Sequence, residues 1–139
     1  MGIIFPNRMA KTILIYSPQA EAGALIGAIV ADLGAEVVET ESVEKVLKLA
    51  SELRPSLIIL LDTALLRNGC DIVARLRRAR QEQTSRRGDT AIYVVTWQQS
   101  EECVLSLLDS GIDQYLTFPI SIERLRHKAY KQIATRQQR

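Results

Sequence analysis

Five short apolar stretches punctuate the chain, and each is followed by a longer amphipathic segment. The most apolar of them is LIILL at residues 57–61, which lies between Pro55 and a loop that ends in Asn68 and Gly69. A run this short and without alternation is typical of a strand whose two faces are both covered. Central strands of parallel sheets flanked by helices are in that position. The pattern therefore predicts that residues 57–61 form the middle strand of a domain.

The remaining apolar stretches predict the other strands and the helices between them. The predicted strands are residues 12–16, 35–39, 57–61, 91–96 and 114–117, and the predicted helices are residues 19–33, 42–54, 71–81, 100–110 and 121 onward. Ser42 and Ser100 are expected to cap helices, and Gly34 and Gly111 to end them. Five strand–helix units in strict alternation predict an α/β fold with one doubly wound, five-stranded parallel sheet and right-handed crossovers.

The length and composition fit one domain of this kind. The chain has 139 residues, of which 47% are apolar, enough to bury a core. We expect the domain to cover residues 11–136, with residues 1–10 as a lead-in that is either disordered or not native. No run approaches the ~20 apolar residues of a membrane span, and the start is unlike a secretory signal. Cys70, Cys103 and a single histidine have no metal-ligand spacing, which favours a reducing, cytoplasmic location without membrane contact.

The segment SGIDQYLTFPI, residues 110–120, resembles the "AGADDYLTKPF" segment of receiver domains in two-component response regulators. The resemblance extends to TILIYSP at residues 12–18, RPSLIILLD at residues 54–62, and VVTW at residues 94–97. It covers residues 11–133 and implies the flavodoxin-like strand order 2-1-3-4-5. It also implies a role in signalling or phosphorelay through contact with other proteins.

The phosphorylation chemistry of that family needs five groups at the carboxyl edge of the sheet. Two acids after the first strand and an aspartate after the third hold Mg²⁺, and that aspartate accepts the phosphoryl group. A Thr or Ser after the fourth strand and a Lys after the fifth then bind the phosphoryl oxygens. In this chain the corresponding positions are Ser17, Pro18, Leu61, Thr96 and Phe118, and only Thr96 matches. We therefore expect a degenerate pocket, a pseudo-receiver, with no Mg²⁺, no catalytic residue and no enzymatic activity.

Two features are compatible with phosphorylation or conformational switching at the same edge of the sheet. Asp62 comes one residue after the expected acceptor position, and it reaches the pocket only if a bulge reverses the alternation of the strand. The first alternative hypothesis is therefore an atypical receiver that is phosphorylated on Asp62. The competing interpretation is that Asp62 is an exposed loop residue. Thr96 and Tyr115 are candidates for a surviving conformational switch. In responding members of the family, the ring of the corresponding tyrosine moves inward. The competing interpretation is that both residues are ordinary packing residues.

The predicted fourth helix has more apolar positions than one buried stripe needs. These are Cys103, Val104, Leu105, Leu107 and Leu108. This excess of apolar positions predicts a surface that binds a protein partner. The alternative is a helix that is buried on more than one side. The resemblance points the same way, because receivers commonly form homodimers through the fourth helix, fifth strand and fifth helix.

Charge is distributed unevenly along the chain. The net charge is +2, with −3 over residues 1–74 (6 basic, 9 acidic) and +5 over residues 75–139 (12 basic, 7 acidic). The arginines at 75, 77, 78, 80, 86 and 87 suggest a nucleotide- or nucleic-acid-binding module as a further alternative. Because Tyr93 is the one aromatic residue nearby and no helix-turn-helix is evident, a solvated basic helix face is favoured and nucleic acid is not expected. The leading hypothesis is a degenerate receiver-like domain that acts by phosphorylation-independent protein–protein contact.

Overall fold

The computed structural model describes residues 11–61, 71–82, 90–96 and 101–137. Asp62 lies outside these residues, as do the side chains of Cys103, Val104 and Leu107. The elements are β1 (Lys11–Tyr16), α1 (Ala20–Val30), β2 (Ala35–Thr40), α2 (Val43–Leu53), β3 (Leu57–Leu61), α3 (Asp71–Glu82), β4 (Ala91–Thr96), α4 (Glu101–Ser110), β5 (Gln114–Thr117) and α5 (Ile122–Gln137). Every strand pair is parallel, and the order is β2-β1-β3-β4-β5. The predicted fold class and strand order are confirmed.

β3 lies at the centre of the sheet, between β1 and β4, and all five of its residues are buried. Its side chains alternate between two apolar clusters. Leu57, Ile59 and Leu61 join residues of α1 and α5 on one face of the sheet. Ile58 and Leu60 join residues of α2 and α3 on the other. Both faces of β3 are therefore core, as its unalternated sequence predicts.

α1 lies close to the sheet because two glycines face it. A Cβ at Gly23 would come within 3.3 Å of the Cβ of Ser17, and one at Gly27 would overlap the Glu39 side chain. The helix ends at Val30, three residues earlier than predicted. Leu25, although apolar and inside the helix, has 57% of its surface exposed. It is two residues from each of the glycines that face the sheet, and so it lies on the opposite side of the helix.

The sequence signals for helix boundaries are confirmed where the structure describes them. The Ser42 hydroxyl accepts a hydrogen bond from the Lys45 amide at 3.2 Å and caps α2. Arg54, which precedes Pro55, has a φ of +48° and ends that helix. The Ser121 hydroxyl accepts from the Arg124 amide at 3.1 Å and begins α5. Ile122, in the first turn of α5, is 55% exposed.

Arg77 points inward, which corrects the expectation that it joins a solvated basic face. Its Nη1 donates to the Gly111 carbonyl oxygen at 3.1 Å, and its side chain crosses the space that a Cβ at Gly111 would fill. Gly111 has a φ of +103°, which favours glycine. The link fastens α3 to the turn between α4 and β5.

Gly111→Ala and Gly34→Ala separate backbone strain from the Arg77 contact. Both glycines have positive φ, but nothing lies within 4 Å of a Cβ at Gly34. We expect Gly34→Ala to lower the free energy of unfolding by ~1–2 kcal/mol through strain. Gly111→Ala should cost ~1 kcal/mol more, because it also displaces Arg77 from its hydrogen bond. Urea denaturation of both variants measures the difference, and equal losses would contradict a stabilising role for the Arg77 link.

Tyr93 connects β4 to α5, and this contact predicts an alkaline loss of stability. Its hydroxyl donates to the Lys128 carbonyl oxygen at 3.0 Å. Burial, with a smaller contribution from the Asp113 carboxylate, raises the pKa of Tyr93 to about 12. The unfolded chain therefore releases this proton at lower pH than the folded chain. The resulting stabilisation is complete below pH ~10 and is lost as the pH rises towards 12.

Tyr93→Phe tests this linkage. We expect the variant to be ~1 kcal/mol less stable at pH 7, because the hydrogen bond to Lys128 is lost. Above pH ~10 the gap between the two proteins should close, since only the wild type loses the stabilisation from this hydroxyl. Denaturation curves at pH 7, 9 and 11 provide the measurement. A gap that stays constant across this range would contradict the raised pKa.

Candidate functional site

The carboxyl edge of the sheet brings four of the five predicted pocket positions onto neighbouring strand ends. Tyr16 pairs with Leu60, so Ser17 comes level with Leu61, and Leu61 pairs with Val95 of β4. The Phe118 amide donates to the Thr96 carbonyl oxygen at 3.1 Å. Ser17, Leu61, Thr96 and Phe118 therefore follow the rim in the order of the strands, and Pro18, the fifth position, follows Ser17 directly.

Ser17 is 2% exposed, and its hydroxyl is used locally. It donates to the Gln19 carbonyl oxygen at 2.8 Å and accepts from the Gln19 amide at 3.1 Å. Its own amide donates to the Thr40 carbonyl oxygen at 3.1 Å. These bonds shape the turn into α1. Pro18 is exposed and adds neither charge nor a hydrogen-bond donor.

Leu61, the residue that the sequence resemblance predicts at the phosphoacceptor position, belongs to the core. It is 3% exposed and lies in the cluster beneath α1 and α5 with Ile15, Val95 and Leu116. Phe118, half-buried, packs against the same cluster. Both of these rim positions are therefore occupied by hydrocarbon that packs on one apolar cluster.

The two residues considered for a switch differ in their surroundings. Thr96 is fully buried at the end of β4. Tyr115 pairs with Val94 in the sheet and packs, partly buried, against the cluster beneath α2 and α3. A conformational switch at these residues stays a prediction.

The described rim residues do not fit a magnesium ion. Mg²⁺ takes oxygen ligands in near-octahedral geometry, preferably with carboxylates. The Ser17 hydroxyl already has two partners, Pro18 has no side-chain oxygen, and Leu61 is aliphatic. Over the part of the chain that the structure describes, no three His, Cys, Asp or Glu side chains are grouped so that they could hold a metal ion.

A groove of about 390 Å³ opens at the same edge, but between β1 and β2 and so on the side of Ser17 away from Leu61. Its lining residues are Ser17, Gln19, Ala20, Gly23, Glu39, Thr40, Glu41, Ser42 and Lys45. The sequence analysis did not identify it. The sequence could have indicated this groove, because the residues that follow two adjacent parallel strands, here β1 and β2, meet at one edge of the sheet. The two glutamates and the lysine give it mixed charge, which selects no particular ligand.

Two of the five α4 side chains predicted to form a partner surface lie within the described part of the chain, and both are exposed. Leu105 is 54% exposed and Leu108 is 49% exposed. On α3, Arg75 and Arg78 are exposed, whereas Arg77 binds Gly111.

None of the helices described here is both long and apolar enough to span a bilayer.

Comparison with known proteins identifies the relatives of this architecture. The family model described as "Response regulator receiver domain" matches residues 13–130. No curated protein matches the sequence.

Solved structures share the fold at low sequence identity. A receiver domain protein from Methanospirillum hungatei has 17% identity and a TM-score of 0.74, over 93% of this chain and 98% of that one. A two-component response regulator from Clostridium difficile has 20% identity and a TM-score of 0.73, over 91% and 98%. A Burkholderia pseudomallei protein provisionally described as pilus assembly-related has 19% identity and a TM-score of 0.69, over 96% of both chains. With the family match over most of its length, the chain belongs to the response regulator receiver domains, the signalling modules of two-component systems.

Proposed function

We propose that this chain is a degenerate receiver that does not transfer phosphoryl groups and acts through phosphorylation-independent protein–protein contact in a two-component or phosphorelay-type system of the cytoplasm. The observation that carries the proposal is the burial of Leu61, 3% exposed, in the core at the position of the phosphoacceptor. The module binds no Mg²⁺ and catalyses no reaction. Its output is the surface that it presents.

The charge of a phosphoryl group supports this proposal, because a phosphorylated residue needs nearby cations to offset that charge. A phosphoryl group carries up to two negative charges, and burying charge without a partner is strongly unfavourable. In a working receiver the metal and a lysine offset that charge. Here the described positions present Leu61 and Phe118, which pack on the same apolar cluster. A phosphorylated state would therefore lose core contacts and gain no compensating cation at these positions.

A fixed conformation follows from the same packing. A ligand shifts an equilibrium between two states only by its difference in affinity for them. With hydrocarbon at the acceptor position, the phosphoryl group supplies no such difference. Leu61 and Phe118 hold the carboxyl edge in one arrangement, and the domain acts as a constant binding partner whose effect depends on its concentration.

The contact surface that we assign to a protein partner is the outer side of α4. Leu105 and Leu108 are about half exposed, one turn apart on the helix, and their burial by a partner would be favourable. A second copy of the chain, bound through α4, β5 and α5, is one candidate occupant. Nucleic acid is disfavoured, because Arg77 is used within the fold.

Incubation with a small phosphodonor tests the proposal. With acetyl phosphate and Mg²⁺, we expect the intact mass of the protein to stay unchanged, because the acceptor position is aliphatic. A working receiver domain treated in parallel shows that the donor is active. An adduct of one phosphoryl group that disappears in Asp62→Asn would contradict the proposal and establish the alternative, an atypical receiver phosphorylated on Asp62.

Leu61→Asp, with Leu61→Asn as its matched control, tests whether the acceptor position is apolar. Each variant should lose ~2–5 kcal/mol of stability, because each removes a buried leucine. At low pH the two should be similar. As the pH rises above ~4, Leu61→Asp should fall further, since its carboxyl would keep its proton when folded but release it when unfolded. Denaturation at several pH values measures this. Recovery of stability with added Mg²⁺ would instead indicate a hydrated, cation-binding pocket.

A further inference from the structure

We draw no further inference here: the strongest candidate, the groove between the carboxyl ends of β1 and β2 where the Gln19 side chain does not cap α1, shows only a helix N-terminus beside Glu39, Glu41 and Lys45, whose mixed charge commits it to no ligand.

Discussion

The burial of β3 on both faces is the constraint on which the rest of the structure depends. Ile58 and Leu60 require cover from α2 and α3, and Leu57, Ile59 and Leu61 require cover from α1 and α5. A strand with no polar face cannot lie at the edge of a sheet, which leaves it the central position between β1 and β4. The parallel order, the two helical layers and the location of the rim all follow from that placement.

The sequence predicted the fold well because its signals are local. The five apolar strands, the Ser42 cap and the stop at Arg54 and Pro55 depend on the period of the apolar positions and on backbone preferences. The exposure of Leu25 and Ile122 could not be predicted, because apolar residues at helical spacing do not show whether each side chain meets the sheet. The inward turn of Arg77 was missed for a related reason, since its partner is a backbone carbonyl 34 residues away.

The candidate site was only partly accessible from sequence. Counting along the strand ends put Ser17, Leu61, Thr96 and Phe118 at the rim, and the sheet register places them there. The identity of the residues could not show that the Ser17 hydroxyl is occupied by Gln19, nor that Leu61 belongs to the cluster beneath α1 and α5. Both facts depend on packing between segments that are distant in the chain. The groove beside β2 was not predicted, because its shape depends on how α1 and α2 pack beyond the ends of β1 and β2.

The hydrocarbon at the end of β3 also constrains single substitutions at the rim. Functional sites commonly cost a protein stability, because they keep like charges together and polar groups poorly solvated. A rim that packs Leu61 into the core avoids that cost at this position. A variant with metal chemistry at these positions would need several replacements, and the first buried charge would weaken the fold before the others could compensate. Single substitutions towards such a site would therefore each pass through a less stable intermediate, so that the charges would have to change together.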